Sequence, residues 1–399
     1  MAAGRVSSFV HRRRALVAIS RALTDFDRPA WLYRARDAIP RGRFSFRSAQ
    51  PVTTADLALS QRLIEAYART LADAPPQDGM WSHDVFRARQ RTLAEALERE
   101  DPAALAELLG SMFRSDFVLG MAAGSLVKER QWAPIARLSW LGTLNKLVSL
   151  AESLGAARVE YPKQGAVGHA FADGVDGLVA RIEDRLGVSL DFPEVGGAYG
   201  VAAGGRLITP DSPDQLYAAA RLRDAMHAQL STPDQALRIV EIGGGYGGMA
   251  YWLLRMLDPA RYVIIDLPIV NVLQGYFLSK ALGESAVALF GEASPAKVTI
   301  TPAHALTSVA APFDVLVNKD SMPEMSAQAV LDYLRWARSA CTGLFYSYNQ
   351  EAAVPFEGTA QNVVAEAIER VGGFTRVRRE ASWLRRGYVE EVYRPQAPV

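Results

Sequence analysis

Between Arg238 and Gly248 the chain reads Arg-Ile-Val-Glu-Ile-Gly-Gly-Gly-Tyr-Gly-Gly: an apolar run, a carboxylate at Glu241, then glycines at Gly243, Gly245 and Gly247. Such a stretch reads as a strand ending in a tight turn, because glycine lets the backbone bend sharply and approach a ligand with no Cβ in the way. The helix that follows directs free N–H groups at a polar or anionic ligand. The next apolar run, Tyr262-Val-Ile-Ile-Asp266, ends in an acid placed to accept hydrogen bonds from both hydroxyls of a ribose. Turn, helix and acid together describe an α/β pocket for an adenosine-containing cofactor.

The spacing Gly243-x-Gly245-x-x-Gly248 also satisfies the dinucleotide fingerprint. Two features favour S-adenosylmethionine. Glu241 stands two residues before the first glycine, where a carboxylate repels a pyrophosphate and suits the ammonium of a methionine moiety. The chain also closes on two strand-like runs, Phe374–Arg378 and Gly387–Tyr393, with no helix between them, which predicts an antiparallel pair at the sheet edge. Tyr246 and Leu267, beside the turn and the acid, join the expected cofactor set.

With 399 residues the chain is long enough for two domains or for one domain with a large extension. A formal net charge of +1 offers no electrostatic footprint for nucleic acid, so no nucleic-acid partner is expected. The basic cluster His11-Arg12-Arg13-Arg14 is local and reads as a solvated helix face. A single cysteine, Cys341, excludes an intrachain disulfide and fits a reducing compartment; at the start of an apolar strand it reads as a core residue. No segment approaches the ~20 apolar residues of a membrane helix. The run Ala15–Ser20 is cut short by Arg21 and lacks the core and cleavage site of a secretory signal. A cytoplasmic protein with no membrane partner is expected.

Residues 1–155 carry apolar positions at helical spacing and predict an all-helical domain. Over Ala55–Tyr67, Leu57, Leu59, Leu63, Ile64 and Tyr67 fit one buried stripe, and further helices are expected over Ser60–Leu71, Arg91–Glu98, Pro102–Phe113 and Leu138–Leu154. Residues 156–211 form a Gly-rich connecting region with short runs and two helical pieces, one of them Gly174–Leu186, and loops or a small hairpin near 196–211. Ser212, a cap candidate followed by Pro213, opens the helix leading into the cofactor domain, 212–399. There the pattern alternates: strands 237–242, 262–266, 297–301, 313–318 and 342–348, with helices 246–257, 269–282, 325–339 and 359–371. Continuous apolar strands of this kind belong to a mostly parallel, Rossmann-like sheet covered on both faces.

With these residues assembled, the chain resembles the class I S-adenosylmethionine-dependent methyltransferases and, within them, the sugar O-methyltransferase family. The resemblance rests on residues 240–248, Ile265-Asp266-Leu267-Pro268, Asn318-Lys319-Asp320-Ser321-Met322-Pro323-Glu324-Met325 and Tyr346-Ser347-Tyr348-Asn349-Gln350-Glu351, and spans roughly residues 196–395. It implies a methyl transfer to a hydroxyl of a small molecule, a sugar or a hydroxylated natural product. The helical half would then supply the lid of the acceptor pocket and a homodimer surface.

In an open α/β sheet ligands bind beyond the carboxyl ends of the strands. That rule gathers Glu241–Gly247, Asp266, Asn318–Glu324 and Tyr348–Glu351 around one crevice. Methyl transfer from a sulfonium needs an aligned acceptor and a base for its proton. Asp320 and Glu324, four apart at the opening of a helix, are the candidate bases; alternatively the pair holds a divalent cation with the acceptor, or serves as helix cap and first-turn charge. No resident metal site is assigned. His169 is a third candidate base, and His304 is expected near the adenine edge. Asn318 and Lys319 are expected at the cofactor, Asn349 and Glu351 at the acceptor, and Tyr217 with Arg221 at the methionine carboxylate or packed on the sheet. An N-methyltransferase and an inactive cofactor-binding partner subunit are the competing readings.

Overall fold

The computed structural model describes residues 39–48, 50–72, 79–118, 120–122, 133–160, 168–232, 236–353 and 360–396. The basic cluster at 11–14 and the apolar run behind it lie outside the described residues.

The helical half begins with a short strand, β1 (Ser45–Phe46), and a long helix, α1 (Thr54–Leu71). Thr53 accepts from the Asp56 amide while Asp56 accepts from the Thr53 amide, so two donors left free by the helix start are satisfied reciprocally. The two helices expected over 55–71 are therefore one. Leu59, Leu63 and Ile64 are buried, whereas Leu57, expected in the same stripe, is 37% exposed. Residues 57 and 59 stand two apart and so point to opposite sides of a helix. Helices α2 (Asp84–Glu98), α3 (Pro102–Leu109), α4 (Ala133–Ser153) and α5 (Gly174–Leu186) follow. The Gly-rich segment forms the hairpin β2 (Tyr199–Ala203) and β3 (Arg206–Ile208), and β1 adds to it as a third antiparallel strand.

Helix α6 (Ser212–Gln229) leads into the sheet. Ser212 is not its cap: the cap position is Asp211, and the Ser212 hydroxyl is taken by Thr209 Oγ1 at 2.8 Å. Beyond it run β4 (Arg238–Ile242), α7 (Gly248–Met256), β5 (Arg261–Asp266), α8 (Pro268–Leu282), β6 (Val287–Ala288), β7 (Val298–Pro302), β8 (Phe313–Lys319), α9 (Ala327–Ala340), β9 (Cys341–Gln350), α10 (Val364–Val371), β10 (Phe374–Ala381) and β11 (Tyr388–Pro395).

The eight strands are ordered β10-β11-β9-β8-β4-β5-β7-β6. Those from β9 to β6 run parallel; β11 pairs antiparallel with both β9 and β10. This is the expected Rossmann-like, mostly parallel sheet, with the antiparallel closing hairpin at its edge. Both faces are covered. On one side Ile239, Ile264, Ile300 and Phe277 belong to a core continuous with Leu59, Leu93 and Leu105 of the helical half. On the other, Val240, Ile242, Leu316 and Phe345 pack with Leu334 and Ile368. Cys341 is buried there, and burial pushes its thiol up to about 12, as befits a core residue.

Helix α9 begins two residues later than expected, capped by Ser326, which accepts from the Ala329 amide at 3.2 Å. Asp320 and Glu324 therefore do not share a helical face; they belong to the turn between β8 and α9. Among the described residues no helix is long and apolar enough to cross a membrane.

Candidate active site

A cavity of about 270 Å³ opens beyond the carboxyl ends of β4, β5, β7 and β8. Its floor is the glycine turn. Gly243 has φ +73°, and a Cβ there would stand 1.9 Å from Ser321 Oγ, so only a bare backbone fits beneath the β8 turn. The Gly243 amide donates to the Ile265 carbonyl at 2.8 Å, which locks the turn against the end of β5. Gly244, Gly245 and Tyr246 line the same floor, while the Tyr246 hydroxyl is held by Gln215. Gly247 starts α7 in the left-handed conformation, behind the lining.

Two acids flank that floor. Glu241, on β4, is 1% exposed, and its Oε2 accepts from the Tyr262 hydroxyl at 3.0 Å. Asp266, at the tip of β5, accepts from the Leu267 amide at 2.8 Å and from Gln274 Nε2 at 2.7 Å. Among the described residues neither has a cation in direct contact, so burial dominates and lifts each to about 7 against those hydrogen bonds. Leu267 and Ala303 continue the wall.

The β8 turn supplies the other polar wall. Lys319 lies 2.8 Å from Asp214 and 3.4 Å from Asp320, and Arg385, from the β10–β11 connection, bonds to Asp320. The Arg385 guanidinium stacks 3.6 Å over the Tyr388 ring. Burial acts to raise both aspartates, and the two cations overcome it, holding Asp214 and Asp320 below the usual carboxylate range. Asp320 adopts φ 69°, a left-handed backbone that an aspartate tolerates. Glu324 faces the same cavity under the opposite conditions. Its Oε2 accepts from Trp81 Nε1 at 2.9 Å, and burial pushes it up to about 7. One turn thus carries one carboxylate kept ionised and one poised near neutrality.

Several residues expected at the site lie elsewhere. Asn318 is fully buried beneath the lining: its amide donates to the Ile242 carbonyl and to Ser321 Oγ, and accepts from Asn349, so these two asparagines tie together the ends of β4, β8 and β9. Glu351 pairs with Arg379 at 2.9 Å on the exposed side of the hairpin. Tyr217 and Arg221 both bind Glu390, stapling α6 to β11, and neither lines the cavity. His169 is exposed and His304 packs against the Phe290 ring; both are absent from the lining. Among the described residues no three His, Cys, Asp or Glu side chains are grouped to hold a metal ion.

Trp81, Met121, Arg385 and Tyr388 also line the cavity, and sequence reasoning did not single them out. Only Tyr388 had a local signal, since it opens the second strand of the closing hairpin expected at the sheet edge.

No family profile matches the sequence, and no curated protein matches it. Solved structures of similar fold include the mitomycin 7-O-methyltransferase MmcR, at 14% identity over 86% of this chain and 94% of that one, with a TM-score of 0.36. The [4+2]-cyclase SpnF is 15% identical over 45% of this chain and 82% of its own, TM-score 0.33. The N-terminal domain of EvdMO1, solved with SAH and D-fucose, is 13% identical over 50% of this chain and 90% of its own, TM-score 0.33. These are likenesses of fold.

Proposed function

We propose that this chain is an S-adenosylmethionine-dependent methyltransferase acting on a hydroxyl of a small molecule. One observation carries the reading: a bare-backbone turn lies between two buried acids, Glu241 and Asp266, that have no contacting cation among the described residues. The donor set suits a cationic aminoacyl-nucleoside. Glu241 would take the ammonium, Asp266 the ribose hydroxyls, and the Gly243–Gly245 backbone would run alongside. A pyrophosphate would meet both carboxylates, which disfavours a dinucleotide.

When bound, S-adenosylmethionine supplies an electrophilic methyl group on sulfur. Glu324 would receive the proton of the acceptor hydroxyl as that oxygen takes the methyl group. Its pKa near 7 suits a general base at neutral pH, where it is substantially ionised yet basic. Asp320, locked by Arg385 and Lys319, stays charged and holds those cations in place. Two carboxyls driven apart by their surroundings divide base and anchor between them.

Titration calorimetry with S-adenosylhomocysteine and with NAD tests the reading. Heat with the first and none with the second is expected. Silence with S-adenosylhomocysteine would remove the assignment.

A further inference from the structure

We propose that Trp81 is the positioning residue for Glu324, so that the helical half forms part of the catalytic centre. The proposal rests on Glu324 as the base. An indole N–H only donates, and the hydroxyl oxygen of a protonated carboxyl is a poorer acceptor than its carbonyl oxygen, so the indole bond favours Oε2 as the unprotonated oxygen. With Trp81 Nε1 at 2.9 Å from Oε2, the proton taken from an acceptor is directed to Oε1, which has no hydrogen bond among the described residues. Trp81 thereby decides which oxygen of Glu324 works and fixes where it points.

The contact is built in. Gly79 has φ +71°, and a Cβ there would lie 2.8 Å from the Glu324 carbonyl oxygen and 2.9 Å from the Ser326 amide. The turn carrying Trp81 therefore rests backbone to backbone on the turn carrying Glu324. Ser82 Oγ closes it by donating to the Gly79 carbonyl at 2.7 Å, and the Phe86 ring packs on the indole at 4.8 Å. Gln361 Nε2 reaches Met80 Sδ at 3.6 Å, tying the same turn to the segment that enters α10. The charged groups that face Glu324 are Asp320 and Arg385, with Lys319 and Tyr388 on the same wall and Glu241 and Asp266 across the cavity. Asp320 raises its pKa and Arg385 lowers it; the indole bond also lowers it, because it favours the ionised form.

The test needs no acceptor. In ¹⁵N-labelled protein saturated with S-adenosylhomocysteine, the Trp81 indole resonance, assigned with Trp81→Phe or Trp81→Tyr, is followed from mildly acidic to mildly alkaline pH. It is expected to shift with a midpoint near neutrality and to stay flat in Glu324→Gln. In parallel, infrared difference spectra of wild type against Glu324→Gln read the protonated carboxyl directly, and Trp81→Phe should move its midpoint to higher pH. A carboxyl band that titrates while the indole stays flat would overturn the role of Trp81 and leave the base in place. Absence of any Glu324 titration in this range would overturn both. The indole titration compares two proteins with Trp81 intact, so it decides the matter even where Trp81 variants fold poorly.

Discussion

Lys319 Nζ and Asp214 Oδ2 face each other at 2.8 Å, a cation at the end of β8 and a carboxylate on α6, with only 14% and 10% of their side chains exposed. The pair joins the helix before the glycine turn to the turn carrying Asp320 and Glu324. Removing one member leaves its partner only a longer ion pair, Lys319 with Asp320 at 3.4 Å or Asp214 with Arg385 at 3.8 Å, which costs on the order of 3 kcal/mol, the low end for a broken buried pair. Lys319→Met and Asp214→Asn should each lower stability by about that much, with the double variant recovering a large part. Urea unfolding of all four proteins measures the coupling; additive losses would mean that the pair does not act as a unit.

Stability should also report the three lifted carboxyls. Glu241, Asp266 and Glu324 sit near 7 in the folded protein, against ordinary values of 4.5, 3.8 and 4.5. A carboxyl whose folded pKa is raised contributes stability below its unfolded value, and that contribution is lost as pH rises through the folded one. Without added nucleotide, Tm is therefore expected to fall from about pH 5 to about pH 8. Asp214 and Asp320, lowered, stabilise above their ordinary value of 3.8 and lose that contribution only in stronger acid, so the windows stay separate. Glu324→Gln should flatten the decline. A Tm that climbs over this range would contradict the assigned shifts.

Glu324→Gln keeps the shape of the side chain and its bond to Trp81 but removes the base. Transfer of labelled methyl to hydroxylated acceptors should drop by about 10²–10⁴-fold, with affinity for S-adenosylhomocysteine unchanged. Asp320→Asn should instead lower stability first, because it leaves Arg385 and Lys319 short of a partner. Full turnover in Glu324→Gln would clear that residue of proton transfer.

Asp266→Ala should weaken S-adenosylhomocysteine binding by roughly 1–3 kcal/mol, the worth of hydrogen bonds to a charged group. Gln274 and the Leu267 amide would lose their acceptor as well, so the free protein is expected to change stability in parallel. Equal affinities in wild type and variant would refute the ribose contact.

The parts of this protein that are readable along the chain are those governed by neighbours in sequence. Alternating apolar runs predict the strands β4, β5, β7, β8 and β9, though not the two-residue β6, and the absence of a helix between Phe374 and Tyr393 predicts the closing hairpin, because strand period and turn chemistry are properties of a few consecutive residues. The glycines of 243–247 predict the turn in the same way. Partnerships across the chain have no such local cause. Trp81 meets Glu324, 243 positions away, and Arg385 meets Asp320, 65 positions away, only because the sheet order and the docking of the helical half bring them together. Tyr217 and Arg221 look free to bind a ligand until β11 places Glu390 between them. The contrast between Asp320 and Glu324 arises likewise. Two acids of similar intrinsic pKa differ because tertiary packing surrounds one with cations and the other with an indole and a desolvating wall.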